Sequence, residues 1–287
     1  MRCRRRCVTH VTDLQLLDGF GATAAAGWSK SKAKRGKTIA MITGRFLLGR
    51  TRDALSAEER EVLESSVSSV RTVPARTTTM RRGELINQST LLVEGFMCRY
   101  LDDRNGHRQL VSMHVPGDFV DLHSFPMKRL DHDIATLGPC TVALFDHRTL
   151  ASIQVRHPRL TRWLWFSTLL DAAIHREWIF RLGRLGAEGR VAHFFSELNA
   201  RLEMVGLAAD GRFSLPATQA DLAEACGITG VHANRVLRLM RERGLATFRN
   251  GEVCILDRKR LAQLGEFDPI YLYGQHTSWV ADLTEGE

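Results

Sequence analysis

The stretch QADLAEACGITGVHANRVLR, at residues 219–238, constrains the fold of this chain more than any other part of the sequence. Its apolar residues recur at the spacing of two short helices that cross at a steep angle: Leu222, Cys226, Ile228, Ala233 and Val236. Ala223 is small where the helices approach, Gly227 permits a tight turn, and Thr229 is placed to cap the second helix. We therefore predict a helix-turn-helix, in preference to a generic helical hairpin.

The residues after this motif predict a wing. The second helix ends in RERG, with Gly244 as its C-cap. LATFR and EVCIL are then two short β-rich runs joined by Asn250-Gly251, which is a two-residue hairpin signal. Together these segments predict a winged helix-turn-helix.

In a winged helix-turn-helix the second helix enters the major groove of DNA, and its early exposed residues meet base edges. Arg can bond a guanine edge, Asn can bond adenine, and Val can touch a thymine methyl, while the start of the first helix suits phosphate contacts. The predicted DNA-binding residues are Thr218, Gln219, Thr229, Gly230, Val231, His232, Asn234, Arg235 and Arg238. A solvated basic face is the alternative for Arg238, and a motif that packs on protein is the alternative for the whole module.

The charge of the chain indicates a polyanionic partner only locally. The formal net charge is +8, but residues 1–40 hold nine Lys and Arg and two acids, so the remainder is nearly balanced. Within that remainder, residues 228–260 hold eight Lys and Arg against three acids. This basic segment overlaps the predicted wing and second helix, which favours nucleic acid as the partner.

Residues 1–52 are predicted to be a basic, disordered tail, because the segment is poor in apolar residues and rich in like charge. A better-patterned run, ITGRFLLGR, follows Met41, and we expect the working protein to start there; a basic arm on DNA is the alternative. Residues 268–287 are predicted to be a C-terminal tail. Scattered cysteines and the lack of any apolar run near 18 residues favour a cytoplasmic protein without a membrane partner.

Residues 53–157 are predicted to form a small antiparallel β-barrel or jelly roll. Short β-rich runs recur there between turn signals such as Asn105-Gly106 and the PGD at residues 116–118. A metal or haem site is an open alternative for the polar residues of this region and the helix that follows: Asp121, His123, Asp131, His132, Asp133 and His175. Their spacing matches no known metal box, so no metal is expected. No catalytic motif is present, yet a barrel enzyme with an appended DNA-binding module also stays open.

A long amphipathic helix is predicted over residues 158–186, with Pro158 in its first turn. Bulky apolar residues recur along it three to four positions apart. We expect this stripe to pair with a second copy of the chain; burial in its own domain is the alternative. The predicted dimer interface comprises Trp163, Leu170, Ile174, Trp178 and Leu182.

This order of β-barrel, long helix and winged helix-turn-helix resembles the Crp/Fnr family of bacterial transcription regulators. The likeness covers about residues 55–265 and rests on VEGFMCRY, PGDF, the helix from HPRL, GRVAHFF and TQADLAEACGITGVHANRVLRLMRERGL. It implies an α+β fold with a barrel sensor at 53–157, a long dimerisation helix at 158–186 and a winged helix-turn-helix at 187–267. It also implies a homodimer that binds double-stranded DNA and acts on RNA polymerase, and no enzymatic activity.

The sensor departs from the cyclic-AMP-responsive members that it resembles. Those members carry Gly-Glu-Leu after the PGDF-like turn and Arg-Ser on the next strand, which bind the ribose and the phosphate. The matching stretches here are VDL and DIAT, at residues 120–122 and 133–136. We therefore expect no cofactor, no cyclic AMP, and an unknown effector or none. The candidate effector pocket comprises Asp121, His123, His132, His175 and Arg176.

Two further motifs of the family are altered. The oxygen-sensing members hold an iron–sulfur cluster with an N-terminal cysteine cluster, whereas only Cys3 and Cys7 lie near this N-terminus, and Cys98 and Cys140 are predicted to be barrel core. The family's Arg-Glu-x-x-x-Arg reading set becomes Gly-Val-x-x-x-Arg, which keeps only Arg235. The well-known half-site is therefore not expected.

Overall fold

The computed structural model describes residues 41–274 of the chain. The N-terminal half corresponds to the predicted sensor and is called the sensor domain below; it starts with a 3-10 turn at Arg52–Ala54 and helix α1 at Ala57–Ser65. Ser56 and Glu59 complete a capping box that begins α1. Seven strands and one short helix follow: β1 Ser69–Val73, β2 Thr78–Met80, β3 Gln88–Glu94, β4 Met97–Asp102, β5 Arg108–His114, α2 Ser124–Met127, β6 Asp133–Thr136 and β7 Cys140–Asp146.

The sensor strands form two antiparallel sheets. One sheet has the order β1-β7-β3, and the other has the order β2-β6-β4-β5. Side chains from both sheets meet in one buried apolar cluster: Leu92, Met97, Val120, Leu130, Ile134, Cys140, Val142 and Leu144. This arrangement confirms the predicted antiparallel β-domain, because inward side chains of facing sheets fill a common core.

The PGDF turn after β5 is fixed against β3. Gly117 has φ +101, and a Cβ there would collide with the carbonyl oxygen of Arg45, so only glycine fits this position. The carboxylate of Asp118 accepts the Val115 N–H at 2.9 Å. The backbone of Leu92 exchanges hydrogen bonds with the turn at 2.8 and 2.9 Å, which anchors it to the sheet edge.

Three helices link the two halves of the molecule: α3 His147–Arg156, α4 Pro158–Arg184 and α5 Ala187–Met204. Helix α4 is 27 residues long and ends two residues before the predicted boundary. Leu160 and Leu164, in its first turns, pack with α3 and the sensor, whereas Ile174 and Trp178 join the core of the C-terminal half. Within residues 41–274, no helix has both the length and the apolarity to cross a bilayer.

The C-terminal half is called the DNA-binding domain below. Its remaining elements are β8 Ala208–Ala209, β9 Arg212–Ser214, α6 Gln219–Cys226, α7 Gly230–Glu242, β10 Ala246–Arg249, β11 Glu252–Ile255, α8 Arg258–Leu264 and a 3-10 turn at Pro269–Leu272. The strands follow the order β10-β11-β9-β8. Asn250 and Gly251, both with positive φ, join β10 to β11 in the predicted two-residue hairpin.

The predicted tails reach less far into the chain than expected. Phe46 is fully buried in a cluster with the sensor and α3, and the Arg50 guanidinium donates to the carbonyl oxygen of Leu272 at 2.9 Å. The prediction of a tail therefore fails for residues 41–52, and for residues 268–274, since Leu272 is buried as well. These segments gain order from contacts with distant elements, which local composition does not show. The predictions for residues 1–40 and 275–287 lie outside the described residues.

Candidate nucleic-acid interface

Helices α6 and α7 form the predicted helix-turn-helix. Thr218 caps α6 in a capping box with Asp221, and Gly227, at φ +59, ends it. The Thr229 hydroxyl accepts the His232 N–H at 3.2 Å and so begins α7. The small and apolar residues of the motif are buried where the helices meet: Leu222, Ala223, Cys226, Ala233 and Val236. Ile228, the remaining predicted packing residue, is half-buried against the same core.

The outward face of α7 carries most of the side chains predicted to read base edges. The exposed residues are Gly230, Val231, Asn234, Arg235 and Arg238. His232 is half-buried. One amide hydrogen of Asn234 is donated to the Gly230 carbonyl at 3.2 Å, and Arg238 lies 3.7 Å from Glu242. Arg235 has no ion pair within residues 41–274, so its guanidinium is free to bond a base.

The start of α6 offers a second, smaller contact surface. Thr218 and Gln219 are both exposed. The Thr218 hydroxyl donates to the Asp221 carboxylate at 2.7 Å and accepts the Asp221 N–H at 3.1 Å, so it is engaged within the helix cap. At the N-terminal end of α6, Gln219 and the unpaired N–H groups of the first turn are therefore the groups available to contact a phosphate.

The wing adds a basic residue that the motif did not predict. Arg249 is exposed directly before the Asn250-Gly251 turn, at the tip of the hairpin. No ion pair to Arg249 exists among the described residues. The sequence signal was available, since a basic residue beside the hairpin turn of a wing points away from the domain core.

In the sensor domain, the predicted effector residues have separate partners. Asp121 is fully buried, and its Oδ1 accepts the Thr90 N–H at 2.5 Å. Burial raises the pKa of Asp121 from 3.8 to about 7. The rings of His123 and His132 lie 5.4 Å apart, and His132 Nδ1 is 2.8 Å from a carboxylate oxygen of Asp131. The structure thus brings His123 and His132 together, while Asp121 faces β3.

The two predicted effector residues of the long helix lie on different faces. His175 is half-buried, with Nδ1 2.9 Å from the Asp171 carbonyl oxygen one turn earlier. Arg176 is exposed. Among residues 41–274, no group of three or more His, Cys, Asp or Glu side chains is arranged to hold a metal ion.

Arg99, which sequence reasoning missed, makes a buried ionic contact between the sensor and the long helix. Arg99 is buried on β4; its Nη1 lies 2.6 Å from Asp171 Oδ2, and its Nε and Nη2 both donate to the Val120 carbonyl, at 2.9 and 2.7 Å. Burial alone would raise the pKa of Asp171, but the Arg99 guanidinium outweighs it and holds that pKa at about 2. An arginine inside the apolar run MCRYL was the available signal.

Comparison with known proteins adds the family. Residues 189–264 match the model of the Crp-like helix-turn-helix domain. The transcriptional activatory protein AadR of Rhodopseudomonas palustris is 31% identical over 178 residues, which are 60% of this chain and 71% of that protein. The chain belongs to the Crp/Fnr family of transcription regulators.

Other comparisons agree with this Crp/Fnr assignment. The transcriptional activator protein FnrA of Stutzerimonas stutzeri is 22% identical over 211 residues, covering 74% of this chain and 86% of that protein. The structure of FixK2 from Bradyrhizobium japonicum matches with a TM-score of 0.63 at 23% identity, covering 68% of this chain and 96% of that chain. The relatives are transcription regulators, in line with the prediction that this protein is not an enzyme.

The long helix of this Crp/Fnr regulator corrects the predicted dimer interface at Leu170, Ile174 and Trp178. Leu170, Ile174 and Trp178 are buried within their own chain, and Trp163 and Leu182 are half-buried. For these three buried residues the alternative interpretation, burial within their own chain, is the one that holds. The periodicity showed which residues share a face, but both faces of this helix are apolar, and only packing shows which one faces inward. The exposed stripe of α4, at spacings of four and three residues, is Trp165, Leu169, Ala172, Arg176, Ile179 and Gly183.

Proposed function

We propose that this Crp/Fnr regulator is a homodimer whose two α7 helices read a two-fold-related site in double-stranded DNA. The observation that carries the proposal is the outward face of α7, where Asn234 and the unpaired Arg235 stand exposed beside Val231. These are side chains that bond adenine, bond guanine and touch a thymine methyl in the major groove. The basic wing tip at Arg249 suits a phosphate contact beside them.

The exposed stripe of α4 supports the proposed dimer. Trp165, Leu169 and Ile179 are 65%, 54% and 71% exposed, although each is large and apolar. Their spacing is that of the a and d positions of a heptad, which place side chains along the seam of a two-stranded coiled coil. A second α4 laid against this stripe would cover all three side chains and would set the two DNA-binding domains about a two-fold axis.

We also infer that the sensor does not bind cyclic AMP. Arg99 is a buried arginine on a sensor strand, and Asp171 and Val120 occupy its hydrogen-bonding groups. A nucleotide phosphate that paired with Arg99 would have to displace Asp171. Asp121, the residue nearest to the family's ribose-binding carboxylate, is turned towards Thr90. Any effector would be of another kind.

The functions proposed for the parts of the chain follow the domains predicted from the sequence. We assign sensing to residues 53–157, dimerisation to 158–186 and DNA binding to 187–267. RNA polymerase is the expected second partner, as in the family, and the cytoplasm is the expected place of action.

In vitro selection from a random DNA library with the full chain tests the proposal. We expect enrichment of an inverted repeat with half-sites about ten base pairs apart, centre to centre. Enrichment of a single asymmetric half-site would contradict the dimer, and failure to enrich any sequence would contradict sequence-specific binding. Titration calorimetry with cyclic AMP should show no heat of binding; saturable low-micromolar binding would overturn the proposed loss of the nucleotide site.

A further inference from the structure

Two arginines of the sensor domain form ion pairs with α6, the first helix of the helix-turn-helix. Arg76, in the turn between β1 and β2, lies 2.7 Å from Asp221 Oδ1 on α6. Arg108, at the start of β5, reaches the same oxygen at 2.7 Å and Glu224 at 2.7 Å. Gln109 donates to the backbone carbonyl of Glu224. We refer to Arg76, Arg108, Asp221 and Glu224 as the interdomain clamp.

We propose that the interdomain clamp makes the sensor part of the DNA-reading apparatus, with Asp221 as a positioning residue that fixes the orientation of α7 relative to the sensor. This inference rests on the proposed function, because it concerns how a DNA-binding dimer holds its two reading helices.

The geometry at Asp221 joins the clamp to the helix cap. Its Oδ2 accepts the N–H and hydroxyl of Thr218 at 2.6 and 2.7 Å, while its Oδ1 accepts both sensor arginines. Only 1% of the side chain is exposed. Burial would raise the pKa of Asp221, but the hydrogen bonds from Arg76 and Thr218 outweigh it and hold that pKa at about 2. The carboxylate is therefore a charged junction shared by two domains.

The C-terminal end of α6 has further contacts beside Glu224. Arg181 of the long helix is fully buried and donates to the Ala225 carbonyl at 2.9 Å. Arg190 of α5 donates to the carbonyls of Cys226 and Gly227, at 3.3 and 3.2 Å. These contacts tie the C-terminal end of α6 to the long helix and to α5, whereas the clamp ties Asp221 and Glu224 of the same helix to the sensor.

Contacts with the sensor, the long helix and α5 together restrict the rotation of α6 more than any one of them alone. Helix α7 follows α6, because Leu222 and Cys226 of α6 share a buried core with Val236 of α7. A two-fold DNA site requires two reading helices at a set separation, so a fixed orientation favours one spacing of half-sites over others. Without the clamp, α7 would sample more orientations, and binding would lose affinity and selectivity for spacing.

The test uses the full chain with sensor-side variants, which leave the DNA-binding domain unchanged. The variants are Arg108→Gln and Arg76→Gln, with Arg108→Lys as the conservative variant. The matched control is Arg104→Gln, an exposed arginine of the neighbouring hairpin turn that has no ion pair in the described part of the chain. The probes are the duplex that the wild-type chain selects, the same duplex with about five base pairs added between its half-sites, and a scrambled duplex, all measured by fluorescence anisotropy.

We expect Arg108→Gln to weaken binding to the selected duplex about tenfold, which corresponds to about 1.4 kcal/mol. The preference for the selected spacing over the altered spacing should fall, scrambled DNA should lose little, and Arg76→Gln should show a smaller effect of the same kind. Arg108→Lys should recover part of both losses, and Arg104→Gln should resemble wild type. A purely stabilising contact would change the melting temperature and leave the spacing preference intact.

Two results would overturn the inference. If the variants bind like wild type with the same spacing preference, the clamp does not position α7. If they bind more tightly, the clamp holds the domain back from DNA. A wild-type chain that prefers neither duplex over scrambled DNA would instead contradict the proposed function, so the two failures are distinguishable.

Discussion

Arg235 is the side chain of α7 with the greatest freedom to contact a base. Arg235→Ala should remove a base contact and lower the binding free energy by about 1–3 kcal/mol, mostly for the selected sequence. Gel shifts with selected and scrambled duplexes measure the difference. Arg241→Ala, at the exposed end of the same helix, is the control and should weaken both duplexes alike. Equal losses on the two duplexes for Arg235→Ala would make it a phosphate contact.

Asp121 should make the stability of the protein depend on pH. Burial raises its pKa from 3.8 to about 7, so between these values the folded state holds a proton that the unfolded chain releases. The stabilisation of the folded state by this proton is fully present below about pH 4 and is lost as the pH rises to about 7. In Asp121→Asn the free energy of unfolding should therefore vary less with pH than in the wild type, by roughly a few kcal/mol across this window.

Urea unfolding from pH 4 to 8 measures this effect, with the exposed Asp53→Asn as the control. A variant whose stability changes with pH as steeply as that of the wild type would show that Asp121 is ionised throughout. In that case hydrogen bonding from Thr90, and not burial, would set its charge.

At the scale of elements, the long helix has two apolar faces, of which one is buried within the chain and the other is exposed. Ile179→Glu should place a charge in the proposed seam and convert the dimer to monomers without unfolding them. Multi-angle light scattering measures the mass, and Val155→Glu, 83% exposed at the end of α3, is the control. Persistence of the dimer in Ile179→Glu would exclude this stripe as the interface. Trp178→Glu should instead unfold the chain, because Trp178 is buried and donates to Glu197 at 3.2 Å.

The elements differ in how well the sequence predicted them. The helix-turn-helix was predicted residue by residue, because its caps, its Gly227 turn and its packing positions lie within one short stretch. The buried face of the long helix was not, because that helix packs on the sensor and on the DNA-binding domain of its own chain. The spacing of apolar residues along this helix is the same whether its own chain or a second copy covers them, so the spacing alone does not identify the neighbour.

At the scale of the whole molecule, the segment 41–55 joins elements that are far apart in sequence. Phe46 is fully buried with its ring centroid 5.6 Å from that of Phe119, in the PGDF turn. Phe46→Ala should lower the free energy of unfolding by about 3–5 kcal/mol, since it leaves a cavity beside that turn. Urea denaturation measures the loss, with Val155→Ala as an exposed control. A loss below about 1 kcal/mol, typical of surface sites, would show that this segment does not stabilise the core and would favour the predicted tail.

The sequence by itself determined the architecture of this protein: the β-rich sensor, the long helix and the winged helix-turn-helix with its reading face. Each of these depends on periodicity, turn residues and caps that act between near neighbours in the chain. Only the tertiary structure decided which face of the long helix is covered, that Arg99 pairs with Asp171, and that two sensor arginines meet at Asp221. Such contacts join charges more than 70 residues apart, and no local pattern records which buried arginine meets which carboxylate.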